Sequence, residues 1–559
     1  MPNAALSSLS KEFWDARMED EPLYATAIGN RRFDSKLPDV TQEALLLSQK
    51  RYESILRRCK RVHRESLSEE DRLTLTALVS DLAAQLDYLA CRLEEWTVDP
   101  LQGPQVEFLN MESYQIVRSV EEGHAMVARW LAVGKFFDDH IANLRRGKEK
   151  GKIAIRACVE KVIDELEGVL ERPDLEWPLS RPAAVPHNDW PEHDSARFRD
   201  GIAAAVRESV RPGYARYLSF LKSELLPAAR PENRAGIMHI PDGKGSYSRL
   251  IRFRTSLNLT PEEIHQTGLR EVAKINAETV ELGEKVFGTR DRKQILDRLR
   301  TDPSLHFTSR DEVAEKAEAA LMRAKAAIPE WFGRLPKADC VVVRMEEHEE
   351  KHSTIAYYRW PAADGSRPGS YYINTSEPET RPRYEAEALA YHESIPGHHL
   401  QLAIAQELEG LPEFRRNGGV TAFVEGWGLY AERLADEMGL YSSDLDRIGV
   451  LSYDSWRACR LVVDTGMHAM GWTRSQAIDF MMENSALAKN NIVNEVDRYI
   501  AWPGQALAYK TGQLEMMKLR QDAEARLGAE FDIRRFHDAL LSNGALPLEA
   551  LRQVMRSYT

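Results

Sequence analysis

The chain has 559 residues, of which 43% are hydrophobic and 29% charged, so it is long enough to bury a large core. Its 75 Lys and Arg residues against 87 Asp and Glu residues give a net charge of −12, which argues against a nucleic-acid partner because phosphate binding needs clustered basic residues. No apolar run approaches the roughly 18 residues that predict a membrane span, so no membrane partner is expected either.

The cysteines and the N-terminal residues indicate a reducing compartment. The five cysteines are odd in number and scattered, and none forms a Cys-x-x-Cys pair, so neither a disulfide framework nor a thiolate metal site is predicted. The first residues lack a basic stretch followed by an apolar segment, which is the pattern of a secretory signal. We therefore expect a cytoplasmic protein. The sequence does not indicate its oligomeric state.

Most of the chain has apolar positions spaced by three and four residues, which predicts α-helix. Such patterns cover residues 41–90, 114–145, 152–171 and 195–226. A further helix is predicted over 257–285, where Thr260 is a good N-cap, Pro261 suits the first helical position and Glu263 completes a capping box. No repeat of 20 to 50 residues recurs, which argues against a solenoid.

The Pro-rich segment that begins at Arg172 interrupts the helical patterns and is the best linker candidate. We therefore divide the chain into an N-terminal helical region (1–171), a Pro-rich linker (172–194) and a helical region that carries the chemical motifs (195–559). We expect these parts to pack as one two-lobed unit.

Strand patterns are few and lie close together. Runs rich in Val, Ile, Tyr and Trp occupy 339–345, 355–360 and 370–375. A turn-rich loop joins the last two, so they predict a β-hairpin, and a strong helix pattern follows directly. The sequence thus predicts a mainly-α fold with a small β-sheet, at about 339–375, next to a histidine-bearing helix.

The segment YHESIPGHH places three histidines within eight residues, beside a glutamate. Many zinc hydrolases carry H-E-x-x-H on a helix, where both histidines share one face. Here Pro396 stands in place of the second histidine, so the strict motif is absent. We predict His392 as a zinc ligand and Glu393 as the general base for a water at the metal. The alternative is a helix cap with satisfied polar side chains.

The second histidine ligand depends on the backbone at the Pro-Gly pair. On a continuous helix His399 would lie only about 20° from the direction of His392, whereas His398 would point about 120° away. Pro396 and Gly397 favour a bulge, because proline cannot donate a backbone hydrogen bond and clashes with the preceding turn. A two-residue bulge restores the four-residue spacing. We therefore predict His398 as the ligand and assign His399 to the surroundings of the metal or to substrate contacts.

A third ligand is predicted at Glu425, 27 residues after His398. It follows an apolar run and precedes Gly426-Trp427-Gly428 in a helical pattern, where a carboxylate is costly to bury unless it is paired or binds a metal. The alternative is that Glu425 faces solvent and only its aromatic neighbours pack. The ligand set predicts one zinc per chain, with three protein ligands and one open position.

Several segments resemble a bacterial family known as domain of unknown function 885. These are YHESIPGHHLQ, AFVEGWGLYAE, RLVVDTGMHAMGW, EVDRYIAWPGQALAYKTG and, near the N-terminus, FWDARMEDEPLYATAIGNRRFD. The resemblance spans nearly the whole chain. It implies a helical fold with a central cleft, similar to the gluzincin zinc peptidases thimet oligopeptidase, angiotensin-converting enzyme and carboxypeptidase Taq. Their third ligand is a glutamate on a following helix, and a glycine-histidine pair closes the motif in the second of them, which agrees with His398.

The resemblance also implies groups that stabilise the transition state. Related peptidases use C-terminal tyrosines and a histidine to donate hydrogen bonds to the oxyanion, a role that suits a positioned phenol. Tyr499 and Tyr509 are the candidate tyrosines, and a Tyr-x-x-Gly pattern favours Tyr509. His468 is a further candidate donor. The alternatives are ordinary aromatic packing for the tyrosines and a satisfied core histidine for His468.

Substrate contacts are predicted around the hairpin strand that precedes the metal helix. In zinc peptidases an edge strand at this place binds the substrate backbone by strand addition, which makes Asn374 a candidate contact. Arg381 and Arg383 are candidates for binding the C-terminal carboxylate of a peptide, since guanidinium pairs with carboxylate in a two-pronged geometry. The alternative is that both arginines are solvated charges near a helix start.

The sequence favours a zinc-dependent metallopeptidase that hydrolyses short peptides, since a deep helical cleft would exclude folded proteins. Two other hypotheses use the same residues: a metal-dependent hydrolase of non-peptide amides or esters, and a non-catalytic relative that binds peptides. Glu393 argues against the last, because a binding protein has no need of a general base.

Overall fold

The computed structural model of the chain describes residues 3–346, 350, 354–362 and 367–558. Within them the fold is mainly α-helical with one small sheet, as predicted. No helix in these ranges is long and apolar enough to cross a membrane. The helices, in chain order, are α1 (Ala4–Asp20), α2 (Pro22–Ala27), α3 (Gln42–Cys59), α4 (Glu69–Cys91), α5 (Pro104–Tyr114), α6 (Val120–Glu149), α7 (Arg156–Leu170), α8 (Glu192–Ala205), α9 (Arg211–Phe220), α10 (Gly243–Thr255), α11 (Pro261–Phe287), α12 (Arg292–Thr301), α13 (Arg310–Ala327), α14 (Ala386–Glu393), α15 (His398–Gln406), α16 (Glu413–Arg416), α17 (Thr421–Glu437), α18 (Asp444–Ala469), α19 (Arg474–Asn484), α20 (Lys489–Ala501), α21 (Leu507–Leu527), α22 (Ile533–Leu541) and α23 (Leu548–Arg556).

The helix predicted over 257–285 is confirmed as α11. The Thr260 Oγ1 accepts a hydrogen bond from the Glu263 backbone N–H at 3.2 Å, and the Glu263 carboxylate accepts one from the Thr260 N–H at 2.8 Å. Pro261 occupies the first turn, and Gly288 ends the helix in the left-handed conformation. This two-sided cap satisfies backbone groups that a helix start leaves free. Local residues therefore fix where α11 begins.

The sheet consists of β1 (Cys340–Arg344), β2 (Ala356–Arg359) and β3 (Gly369–Ile373), in the order β1-β3-β2. β2 and β3 form the predicted antiparallel hairpin, across which the rings of Tyr357 and Tyr372 stack 4.8 Å apart. β1 pairs in parallel with the other side of β3. The prediction that the strand before the metal helix is an edge strand is therefore wrong, because β1 and β2 occupy both sides of β3.

The segment predicted as a linker, 172–194, contributes a few side chains to a hydrophobic core, while most of its residues are exposed or half-buried. It forms short 3₁₀ helices at Asp174–Glu176 and Pro178–Ala184. Trp177 and Leu179 are completely buried in a core that is built largely from α5 to α9. The indole of Trp130 on α6 donates a hydrogen bond to the Leu179 carbonyl at 2.9 Å. Here the prolines mark an irregular segment of one core, which continues on both sides of the predicted linker.

Glycines allow the helices that carry the C-terminal motifs to pack closely. A Cβ at Gly426 on α17 would lie 2.5 Å from the backbone of Gly512 on α21, which is far inside van der Waals contact, so both positions need glycine. Tyr509 lies three residues before Gly512, on the same face of α21. The close crossing of α17 and α21 thus brings Tyr509 towards Glu425.

Candidate metal centre

The helix that carries the histidine cluster breaks at the Pro-Gly pair, as predicted. α14 ends at Glu393, α15 begins at His398, and the peptide bond before Pro396 is cis. A Cβ at Gly397 would clash with the carbonyl oxygen of His392, so glycine is required there. The indole of Trp427 donates hydrogen bonds to the Pro396 carbonyl at 2.9 Å and the Gly397 carbonyl at 3.1 Å. These bonds fix the break against α17.

The three predicted ligands converge across this break. The Nε2 atom of His392 lies 3.6 Å from Glu425 Oε2, and the Nε2 atom of His398 lies 3.7 Å from the same oxygen. Donor atoms of His392, Glu393 and His398 lie within 4.8 Å of one another. The structure thus places two imidazoles and two carboxylates around one point, with contributions from α14, α15 and α17.

His399 lies apart from this group, against the sheet. Its Nδ1 is 2.8 Å from the Tyr358 hydroxyl on β2, and its Nε2 is 3.1 Å from the Ala338 carbonyl oxygen. The ring is completely buried, and Gly369 on β3 leaves the space that it fills. Both ring nitrogens are therefore engaged within the fold. The structure therefore does not place His399, predicted to lie around the metal or to contact substrate, at the metal group, because its ring contacts the Tyr358 hydroxyl and the Ala338 carbonyl.

A second carboxylate on α17 orients His392. The His392 Nδ1 lies 2.8 Å from Oε1 of Glu432, whose side chain is 1% exposed. A proton held on Nδ1 by this carboxylate would leave Nε2, the atom that faces Glu425 and His398, free to bind a metal. Glu432 is not among the residues predicted from the sequence. The spacing could have indicated it, because seven residues place Glu425 and Glu432 on the same face of one helix.

The two carboxylates nearest the histidines have pKa values pushed in opposite directions. Burial alone would raise the pKa of Glu425, but the hydrogen bond from His392 and the charge of His398 lower it to about 2. Burial raises the pKa of Glu393 to about 7, against the attraction of His392. A permanently ionised carboxylate suits a metal ligand, whereas one that titrates near neutrality suits proton transfer. The directions of the two pKa shifts agree with the two predicted roles, while both carboxylates lie beside the histidines.

The histidines also differ in charge. Burial opposes protonation of His392, but hydrogen bonds with Glu425 and Glu432 raise its pKa to about 9. Burial and the neighbouring His392 lower the pKa of His398 to about 4. Positive charge is thus favoured on His392, between Glu425 and Glu432, and disfavoured on His398.

The donor set fits a zinc ion. Two imidazole nitrogens with one carboxylate form a ligand set that zinc takes at catalytic sites. Ligand atoms of a tetrahedral zinc lie roughly 3.3 Å from one another, close to the observed 3.6 and 3.7 Å between the histidine nitrogens and Glu425. The Glu425 side chain keeps 22% of its surface exposed, so solvent reaches the group and it is not sealed in the core.

Gly428 leaves room for the His392 ring. A Cβ there would lie 2.5 Å from His392 Cε1 and 2.9 Å from Nε2. Alanine in a helix interior is normally more stable than glycine by about 0.5–1 kcal/mol. We expect Gly428→Ala to lower the stability of the protein, contrary to this usual preference. We also expect it to weaken zinc binding by at least about 10-fold, the scale on which misoriented ligands act. Competition with a chromogenic chelator measures the affinity.

Gly168 on α7 is the matched control, because it is exposed and a Cβ there would have no neighbour within 4 Å. Gly168→Ala should keep the zinc affinity and should not lower the melting temperature. Unchanged zinc affinity in Gly428→Ala would show that the position of the His392 ring does not matter for the metal.

The two candidate tyrosines lie in different surroundings. Tyr509 is half-buried, with the Arg460 guanidinium 4.5 Å from its ring centroid. Burial and the charge of Glu425 raise its pKa, so its phenol stays protonated and can donate. Tyr499 is completely buried. Its hydroxyl donates to Glu495 at 2.6 Å and accepts from the Arg460 Nε at 2.9 Å. Tyr499 therefore supports Arg460, and Tyr509 is the tyrosine next to the metal ligands.

His468 is a core histidine. Its Nδ1 accepts a hydrogen bond from the Ile237 N–H at 3.0 Å, and its Nε2 lies 3.0 Å from the Tyr499 carbonyl oxygen. Burial lowers its pKa to about 3, so it stays neutral with both nitrogens engaged. The prediction of an oxyanion donor here is corrected, because backbone groups occupy both sides of the ring.

The predicted substrate contacts on the hairpin and before α14 serve the fold instead. The Asn374 amide donates to the Glu350 carbonyl at 2.7 Å, and its oxygen accepts from the Ser376 N–H at 3.0 Å. The Arg381 Nε donates to the Ser376 carbonyl at 2.7 Å. Arg383 forms an ion pair with Glu312 at 3.1 Å. Because each side chain already has a partner within the chain, none of them is placed as a substrate group.

Comparison with known proteins gives a family and a fold. The family described as "Bacterial protein of unknown function (DUF885)" matches residues 22–555. The crystal structure of a "putative lipoprotein" from Colwellia psychrerythraea is 26% identical, with a TM-score of 0.91 over 99% of this chain and 98% of its own. A "putative lipoprotein of unknown function" from Shewanella oneidensis is 18% identical, with a TM-score of 0.76 over 99% of this chain and 100% of its own, and it shows likeness of fold alone. No curated protein matches the chain.

Proposed function

This chain belongs to the DUF885 family of bacterial proteins, whose function is unknown, and we propose from its own residues that it is a zinc-dependent hydrolase of short peptides. The observation that carries the proposal is the convergence of His392, His398 and Glu425, with nitrogen–oxygen distances of 3.6 and 3.7 Å, beside the separately perturbed carboxylate of Glu393.

The roles of the residues follow from their positions. His392, His398 and Glu425 would hold the zinc, which when bound polarises a carbonyl and lowers the pKa of water. Glu393 accepts a proton from the attacking water as the water oxygen bonds to the carbonyl carbon. It then gives this proton to the nitrogen as the carbon–nitrogen bond breaks. Tyr509 donates a hydrogen bond to the oxygen on which negative charge develops.

The sheet supports a peptide as the substrate. β2 packs against α14, which carries His392 and Glu393. Within the described part of the sheet β2 is paired only with β3, so its outer edge can pair with an extended backbone. This is the role predicted for an edge strand, transferred from β3 to β2. An amide or ester without a peptide backbone would make no use of this edge.

A cytoplasmic location belongs to the same proposal. All five cysteines are free and buried, as thiols are in a reducing compartment. Short peptides produced by intracellular proteolysis would then be the available substrates. Fractionation of cells followed by immunoblotting tests this part separately from the chemistry.

Zinc analysis and a peptide-library digest test the proposal. Purified protein is expected to contain about one zinc per chain by mass spectrometry of the elements, and to cleave members of the library. Removal of the metal with a chelator should abolish cleavage, and zinc should restore it. A protein that cannot be loaded with any divalent metal would contradict the proposal. Cleavage confined to non-peptide amides or esters would favour the alternative hydrolase.

A further inference from the structure

We propose that Arg457 and Arg460 form a carboxylate-binding subsite beside the metal centre, so that the preferred substrates carry a free carboxylate close to the bond that is cleaved. This inference rests on the proposed peptide hydrolysis and adds the substrate class. Arg457 and Arg460 thereby take the role that was predicted for Arg381 and Arg383, whose contacts lie elsewhere, as the guanidinium groups that bind a peptide carboxylate.

The two arginines lie on one face of α18, three residues apart. Arg457 is 5% exposed and Arg460 is 3% exposed. Both lie beside the metal centre, since Arg457 Nη2 is 3.8 Å from Glu432, which binds His392, and the Arg460 guanidinium is 4.5 Å from the ring centroid of Tyr509. The pair thus adjoins residues that surround the proposed metal ligands.

Two of the three guanidinium nitrogens of Arg460 have hydrogen-bond partners. Its Nε donates to the Tyr499 hydroxyl and one terminal nitrogen, Nη2, donates to Glu495, both at 2.9 Å. Its guanidinium lies 4.5 Å from the ring centroid of Tyr509, the half-buried phenol next to Glu425. The other terminal nitrogen, Nη1, is buried and has no hydrogen-bond partner among the described residues. One donor of a fixed guanidinium therefore remains for a ligand.

Arg457 is even less satisfied. Its guanidinium lies 4.4 Å from the ring centroids of both Tyr453 and Trp456. Its nearest carboxylate is Glu432, at 3.8 Å, and that carboxylate is already engaged at 2.8 Å by His392. The Arg457 Nε is buried without a partner in the described part of the chain. Stacking on aromatic rings orients the charge but does not neutralise it.

The guanidinium groups of this face have few close carboxylate partners. Arg460 and Arg498 share the single carboxylate of Glu495, at 2.9 and 2.8 Å, and no other carboxylate among the described residues lies within ion-pair distance of either. Arg457 has the 3.8 Å ion pair with Glu432, a carboxylate that His392 also engages. Because a buried guanidinium is stabilised only when it is closely paired and hydrogen-bonded, an anion supplied from outside would complete the pairing of this group.

A carboxylate fits this site better than other anions that a peptide can offer. Guanidinium binds carboxylate through short, charge-assisted hydrogen bonds, and peptides provide carboxylates at their C-terminus and on Asp and Glu side chains. Both sources present the same group. We place this carboxylate within one or two residues of the cleaved bond, because Arg457 adjoins Glu432, which orients His392, and Arg460 adjoins Tyr509, the proposed oxyanion donor.

Matched substrates test the inference without changing the protein. The best peptide from the library digest is made with a free C-terminus and as the C-terminal amide, and with Glu or Gln beside the cleaved bond. We expect kcat/KM of the wild-type enzyme to be about 10- to 100-fold higher for one carboxylate version than for its neutral partner, the usual contribution of a hydrogen bond to a charged group. The pair that shows the preference identifies the source of the carboxylate.

The variants Arg460→Gln and Arg457→Gln should reduce this preference by about the same factor, and Arg460→Lys should restore part of it, because lysine keeps the charge but not the two-pronged geometry. Arg447→Gln is the control, since Arg447 lies on the same helix with an exposed side chain paired with Asp436. It should leave the preference unchanged. Thermal melts show whether each variant is folded, and Arg457→Gln remains informative if loss of the Tyr499 contact unfolds the Arg460 variant.

The outcomes separate this inference from the proposed function. Equal kcat/KM within every pair for the wild type would overturn the carboxylate subsite and leave peptide hydrolysis intact. So would variants that lower both members of a pair by the same factor, because that result means a structural role for the arginines. Failure of the zinc-loaded wild type to cleave any peptide would overturn the proposed function, and the subsite with it.

Discussion

Glu393→Gln is expected to lower peptide hydrolysis by roughly two or more orders of magnitude, the usual scale for loss of a general base. Glutamine has nearly the same size, and it cannot accept the proton of the attacking water. The Glu393 carboxyl has a pKa raised by burial to about 7, so the neutral amide should be tolerated at this position. We therefore expect unchanged zinc content and an unchanged or slightly higher melting temperature, with the effect on kcat.

Glu385 provides a matched control for this substitution. It is also a buried glutamate whose pKa burial raises to about 7, but its carboxylate accepts a hydrogen bond from the Ser452 hydroxyl at 2.7 Å. Glu385→Gln should therefore leave the rate close to that of the wild type. Glu425→Ala should instead lose zinc, because it removes a ligand. Wild-type activity in Glu393→Gln would mean that another group accepts the proton.

The sequence was sufficient where the deciding property is local. The missing N–H of Pro396 and the absence of a side chain at Gly397 break the helix whatever surrounds them, so the separation of α14 from α15 could be predicted. Glu425 could be placed because a carboxylate between apolar and aromatic residues needs a partner. The hairpin and the start of α11 likewise depend on residues within a few positions.

The sequence was not sufficient where a polar side chain could either line a functional site or bond to another part of the fold. Asn374, Arg383 and His468 all found partners far along the chain or in loops, such as the Ile237 N–H that binds His468. Nothing near a histidine in the sequence reveals such a partner. The same limit applied to β1, whose pairing made β3 a central strand. Burial of Arg457 also depends on packing between distant helices, so its helical pattern gave no sign of a buried charge with one long ion pair.

The choice between His398 and His399 gives the second large expected effect. His398→Ala removes an imidazole whose Nε2 lies 3.7 Å from Glu425, and we expect zinc affinity to fall by more than about 100-fold, beyond the 10- to 100-fold typical of groups that only support a ligand. His399→Ala removes a ring that contacts Tyr358 and the Ala338 carbonyl. We expect it to keep zinc.

The free energy of unfolding of the metal-free variants should show the opposite order, with His399→Ala the less stable. His399→Ala leaves a cavity and two partly buried polar groups without this partner, so the free energy of unfolding should fall by about 1–3 kcal/mol. His398→Ala removes a ring whose Nδ1 has no partner in the described part of the chain, and it should destabilise the metal-free protein less. Chelator competition and denaturant unfolding of the two metal-free variants measure both quantities. Loss of zinc in His399→Ala together with retention in His398→Ala would mean that the helix runs straight through the Pro-Gly pair in solution, and the break between α14 and α15 would then not define the metal centre.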